Sequence, residues 1–155
     1  MEIDILIDEA PEGGLEASWL RLIASQVLTA EGADTNTELG FLITGQERIR
    51  QLNQRYRGKD EPTDVLTFAM TDETDTTLFP TPPDGIQHLG EVIISYPQAA
   101  IQAEEHRHSV KREIAVLTIH GMLHLLGYDH EEPAGERQMR AREGELLSDL
   151  EGELA

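Results

Sequence analysis

The stretch Val110 to Leu126, VKREIAVLTIHGMLHLL, constrains the chain more than any other segment. It is the longest run at helical spacing, and Gly127 is placed to stop it. Gly121 in its interior costs about 1 kcal/mol against alanine. Something must compensate, and the candidates are a substrate or a strand passing close to the backbone. His120 and His124 stand at i and i+4, so their imidazoles leave one side of the helix a turn apart. Two nitrogens at that separation can grip one tetrahedral cation. Gly127 lets the chain reverse with φ > 0, and the reversal brings His130 back as a third ligand. Three imidazoles with an open fourth position describe a catalytic site, because structural zinc is closed by four protein ligands.

The chain of 155 residues contains no cysteine. This excludes disulfides, thiolate catalysis, Cys-ligated zinc and iron–sulfur clusters, so any metal is held by His, Asp or Glu. Zn2+ is the expected ion, and nickel or another divalent metal also suits three imidazoles. The spacing equals that of the metzincin peptidase motif H-E-x-x-H-x-x-G-x-x-H, with Gly121 at the Glu position. In those enzymes the Glu takes a proton from the metal-bound water, so its absence here counts against a conventional peptidase.

Around this helix the pattern predicts β-α-β-α-β-β-α-α-α. Strands are expected at 2–7, 38–43, 64–70 and 90–95, and helices at 15–30, from the Thr44–Glu47 box to about Tyr56, from Pro97 to about Arg107, over 110–126 and from Pro133 onward. Thr44-Gly45-Gln46-Glu47 reads as a capping box. The stretch 71–88, rich in Pro and acid, reads as a long loop between two strands of a hairpin. The fold class is therefore α+β: a single domain over 1–155, with a small mixed four-stranded sheet packed by about five helices, one of them a metzincin-like metal-binding helix. No apolar run approaches the 18 residues of a membrane span. The N-terminus, MEIDILIDEA, alternates and carries acid, unlike a signal peptide, so the default location is the cytoplasm.

The formal net charge is −18, which taken whole should repel nucleic acid. Yet Arg48, Arg50, Arg55, Arg57 and Lys59 form a basic island with no acid among them. Such a run is either a solvated helix face or an anion-binding patch. Arg is the preferred fork for phosphate, and of Arg55 and Arg57, two apart, one is expected to point into the site. Asn53, Thr63 and Asp64 border the third strand, Asp64 as a turn former or as a partner orienting a His. Gly90-Glu91 opens the fourth strand as a bulge or a close backbone approach. Glu91 is there either a plain strand acid or a base or ligand-orienting group. His88, His106 and His108 lack ligand spacing with the triad and read as surface residues.

Three segments together resemble the YbeY family of metal-dependent endoribonucleases. They are His120 to His130 (HGMLHLLGYDH), Leu52 to Phe68 with its Tyr56-Arg57-Gly58 and Thr63-Asp64-Val65-Leu66, and Leu89 to Ser95 (LGEVIIS). The likeness spans about residues 39–150. Two positions depart from it: Glu91 stands where the family commonly has Asp, and Ala69 where it often has Pro. The resemblance implies an α+β fold, zinc held by His120, His124 and His130, and Arg57 as the functional arginine of the cleft. It also implies hydrolysis of single-stranded RNA, maturation of the small-subunit rRNA 3′ end, ribosome quality control, and the ribosomal small subunit with its associated proteins as partners. Arg57, with some of Arg48, Arg50, Arg55, Lys59, Arg107, Lys111 and Arg112, is expected to supply the positive cleft. Two other readings stay open: a ribosome-assembly factor whose metal is mainly structural, and a metallohydrolase of amide or ester bonds.

Overall fold

The computed structural model describes residues 1–11, 14–69, 87–128 and 131–154. Strands β1 (Glu2–Ile7), β2 (Thr37–Thr44), β3 (Val65–Ala69) and β4 (Gln87–Ser95) form a sheet in the order β1-β2-β4-β3. β1 and β4 each run parallel to β2, while β3 pairs antiparallel with β4 and forms an outer edge. The helices among the described residues are α1 (Ala17–Ala30), α2 (Gln46–Arg57), α3 (Tyr96–Glu105), α4 (Val110–Leu125) and α5 (Pro133–Asp149). Among the described residues the element order expected from the pattern is the order found, with a short 3-10 turn over Glu151–Glu153 added. Most of the expected loop at 71–88 lies outside the described residues, and β4 begins within it, at Gln87. No helix of the described residues is long and apolar enough to cross a membrane.

Period-two alternation sorts the strand side chains onto two faces. Leu39, Phe41 and Ile43 of β2 and Val92 and Ile94 of β4 join the main core with α1, α4 and α5. Leu66 of β3 and Ile93 of β4 point the other way and meet Ile49 of α2. The sheet is thus covered by helices on both sides, and α2 and α4 flank edge strand β3 from opposite faces.

Two glycines hold this arrangement by what they lack. Leu39 pairs with Gly90 while Glu38 pairs with His88, so Leu89 is an extra residue and β4 carries a bulge. Gly90 adopts φ 137°, and a Cβ there would lie 2.0 Å from the carbonyl oxygen of Phe68. Both alternatives read from the Gly-Glu step, bulge and close approach, are realised together. Gly121 marks where α4 crosses the sheet: a Cβ would sit 2.8 Å from Val92 Cγ1 and 3.3 Å from Thr67 Cγ2. The compensation for a mid-helix glycine is therefore a strand against the backbone. Gly121→Ala is expected to destabilise by about 1–3 kcal/mol, although alanine is the better helix former. Thermal melts of Gly121→Ala, Val92→Ala and the double variant check this. The double variant should be more stable than the two single losses add up to.

The ends of the helices follow local chemistry. Ser95 and Ser109 cap α3 and α4 by accepting hydrogen bonds from the N–H groups of Gln98 and Arg112. The capping box expected at Thr44–Glu47 does not form. Gly45 is the extended residue before α2 and offers no side chain. Thr44 ends β2 fully buried and donates its hydroxyl to Asp8 Oδ2 at 2.9 Å. Glu47 turns instead to Arg50, 2.7 Å away. At the far end of α4, Tyr128 N–H donates to Leu123 O at 3.0 Å and Gly127 N–H to His124 O at 3.1 Å, around Gly127 at φ 103°. This paired-bond stop is the reversal expected at Gly127.

Candidate active site

The i, i+4 spacing brings His120 and His124 together: their ring centroids are 5.0 Å apart, with planes at 78°. His120 Nδ1 donates to Glu143 Oε1 of α5 at 2.8 Å. In the neutral ring this bond puts the proton on Nδ1 and the lone pair on Nε2, the arrangement that carboxylates impose on metal-binding histidines. The donor set thus fits a divalent ion. His130 and Asp129 lie outside the described residues. The chain leading to them is tied down: Tyr128 donates its hydroxyl to Glu31 at 3.1 Å, and Glu31 also accepts from Arg142 Nε at 2.7 Å. Burial, then the charge of Glu31, pushes the Tyr128 phenol above its ordinary pKa, so it remains a donor at neutral pH. Glu143→Gln is expected to lower zinc affinity by about 10–100-fold while leaving the imidazoles in place. Calorimetric titration measures this directly.

His120 and His124 open onto a cleft of about 690 Å³ that follows the outer edge of the sheet. Thr67 and its β3 neighbours form the floor, Glu131 is part of the lining, and Tyr56 and Arg57 border it at the C-terminal end of α2. Arg57 is the last residue of α2, and Gly58 turns the chain away in the left-handed region at φ 72°. Tyr56 is 58% exposed. Its ring packs edge-on against Phe68 at 5.2 Å, and the Arg55 guanidinium lies 5.4 Å from its centroid.

Several of the basic residues expected to supply the positive cleft are engaged elsewhere. Arg50 is held between Glu47 and Asp60, and these carboxylates, Glu47 first, push its pKa further up. Arg112 forms a two-pronged pair with Glu151 at 2.8 Å, and Lys111 sits 5.1 Å above the Trp19 ring. Of the two alternatives at positions 55 and 57, Arg57 is the one that lines the cleft.

Other candidate residues sort by contact. Asp64 borders the cleft, but its Oδ1 accepts from its neighbour Val65 N–H at 2.8 Å, so it shapes the entry to β3. The carboxylate on His120 is Glu143 instead. Asn53 is buried and donates to Glu61 O at 2.9 Å, pinning the loop after α2. Glu91 is placed on the face of β4 opposite Val92, where its Cγ would lie 3.4 Å from a Cβ on Gly40. Period-two geometry thus turns it away from α4, which removes it as a base or His-orienting group. His88 pairs with Glu38 across β2 and β4 at 3.3 Å. His106 and His108 are not separate surface residues. Both converge on Glu113 of α4, whose own side chain is 2% exposed. Burial raises the Glu113 pKa, but hydrogen bonds from His106, His108 and Gln102 outweigh it and leave the carboxyl below its ordinary value.

Glu143, Glu31 and Arg142 were not singled out by motif. For Glu143 a signal existed: it falls between Met139 and Leu146 on the buried stripe of α5, and an acid on an apolar stripe needs a partner.

The profile of the family described as Endoribonuclease YbeY matches residues 12–151. A Dehalococcoides mccartyi (strain CBDB1) protein named Endoribonuclease YbeY is 53% identical over 148 residues, covering 92% of this chain and 89% of its own. Its namesake in Chloroflexus aggregans is 43% identical over 149 residues, covering 96% and 95%. The solution structure of TM1509 from Thermotoga maritima superposes with a TM-score of 0.64 at 26% identity, covering 97% of this chain and 90% of that one. A profile match that leaves out only the two ends, and relatives this similar over nine-tenths of the length, establish that the chain belongs to the Endoribonuclease YbeY family.

Proposed function

We propose that this endoribonuclease hydrolyses single-stranded RNA in the cleft beside β3, in the cytoplasm. Its target is the 3′ end of small-subunit rRNA, with the ribosomal small subunit and its proteins as partners in maturation and quality control. The observation that carries this reading is the His120–Glu143 pair beside His124, facing a cleft that Arg57 borders. His120, His124 and His130 would hold one Zn2+, for which nickel or another divalent ion can substitute. When bound, the ion supplies Lewis acidity to a phosphoryl oxygen and to water.

The chain's own residues do the rest. Glu143 fixes the tautomer and direction of His120. Arg57 binds the scissile or a neighbouring phosphate through its fork of N–H donors. Tyr56 offers an exposed ring on which an unpaired base stacks, a contact a duplex does not provide. Gly121 leaves no room for the glutamate of a metzincin peptidase, since even a Cβ would meet Val92. This argues against amide hydrolysis.

The test is incubation of the zinc-loaded protein with single-stranded RNA, the same RNA as a duplex, and casein. Cleavage of the single strand alone is expected. Arg57→Ala should lower its rate by about 10–100-fold, the worth of one charged hydrogen bond. Cleavage of casein with RNA untouched would overturn the reading.

A further inference from the structure

The proposed cleft chemistry makes no use of a polar cluster at the turn between α3 and α4, centred on the buried Glu113. Glu113 Oε1 meets His106 Nδ1 at 3.0 Å and His108 Nε2 at 2.7 Å. Its other oxygen accepts from Gln102 Nε2 at 3.1 Å. Gln102 is oriented in turn: its Oε1 accepts from Gln98 Nε2, and Gln98 Oε1 accepts from Gln46 Nε2 of α2, each at 3.2 Å. Between the two histidines, Arg107 takes the left-handed φ of 58°, a conformation usually left to glycine. That turn places both rings against one carboxylate.

We propose that His106, His108 and Glu113 form a second divalent-metal site of zinc type. Two imidazole nitrogens and one carboxylate oxygen are a donor set that zinc takes, with water completing the shell. The three donor atoms lie within 4.8 Å of one another. Donors around a tetrahedral zinc sit roughly 3.4 Å apart, by the bond lengths of such sites, so each nitrogen moves well under an ångström from Glu113 Oε1, now 3.0 and 2.7 Å away, to admit an ion. The Gln46–Gln98–Gln102 relay is the outer support that holds a ligating carboxylate in position. A dication also balances a carboxylate that is 2% exposed. The His106 side chain, 55% exposed, gives the ion a path in. Glu113 and His120 are seven residues apart on α4, about 10 Å along its axis, too far to share an ion with the cleft. The site would clamp the α3–α4 turn onto the helix that carries His120 and His124.

The test uses the full chain with both cleft histidines removed, His120→Ala/His124→Ala, stripped with chelator and titrated with Zn2+ by calorimetry. One equivalent should still bind, and adding His106→Ala, a change at an exposed ring, should weaken it about tenfold or more. No binding, or binding that His106→Ala and His108→Ala leave unchanged, would overturn the site. If the double variant does not fold, 15N NMR of histidine in the unaltered chain decides. Zn2+ should shift His106 Nδ1 and His108 Nε2, and unshifted signals at two equivalents would overturn the site.

Discussion

Replacing Gly90 with alanine is expected to cost about 3–6 kcal/mol of stability, combining a backbone conformation that essentially only glycine adopts with overpacking. The new Cβ would lie 2.0 Å from the Phe68 carbonyl oxygen and 3.0 Å from Ala69 Cα. These are backbone atoms of the paired strand, so no rotamer change relieves the contact. Relief requires separating β3 from β4 where Ala69 faces Gly90, and β3 is the floor of the cleft. Against a usual total of about 5–15 kcal/mol, this lowers Tm by roughly 10–20 °C. Gly144→Ala is the matched control. A Cβ there meets nothing within 4 Å, and the residue is inside α5, so about 0.5–1 kcal/mol of added stability is expected. Thermal melts followed by circular dichroism read both signs in one experiment.

The second large effect is chemical. His120→Ala should lower cleavage of single-stranded RNA by about a thousandfold or more, the several kcal/mol that a metal centre contributes to phosphoryl charge in the transition state. Its stability should fall only by about 1–3 kcal/mol, because the half-buried Glu143 loses a partner. Activity and stability therefore separate in this variant, whereas in Gly90→Ala they fall together. Comparing cleavage rates of the two proteins at a temperature where both are folded distinguishes a lost ligand from a lost fold.

Element order and the hairpin of β3 with β4 were legible in the residues because each signal is local, whereas the strand order that puts β4 between β2 and β3 was not. Alternation in EIDILI and ELGFLI, prolines at the first turns of α3 and α5, and glycine after α4 each act within a few residues. The pairing of His120 with His124 is local in the same sense. What the pattern left open depends on neighbours distant in sequence. Thr44 reads as a helix cap until Asp8, on the adjoining segment, takes its hydroxyl. Glu91 reads as a possible base until the bulge at Leu89–Gly90 fixes which face it occupies. His106 and His108 read as surface histidines because neither has ligand spacing with the triad. Only the left-handed Arg107 turns both toward Glu113. The free positive charge is smaller than the arginine count suggests: Glu47 and Asp60, at the two ends of the basic island, hold Arg50, and the sequence-distant Glu151 holds Arg112.

Diffraction at the zinc absorption edge, on crystals of the zinc-loaded chain, probes the cleft most directly. In the cleft, apart from any peak at His106, His108 and Glu113, one anomalous peak is expected about 2.0–2.1 Å from ring nitrogens of His120, His124 and His130, with no fourth protein atom bound. A cleft in which those rings point apart, or in which a further side chain closes the ion's shell, would contradict the catalytic role assigned to it.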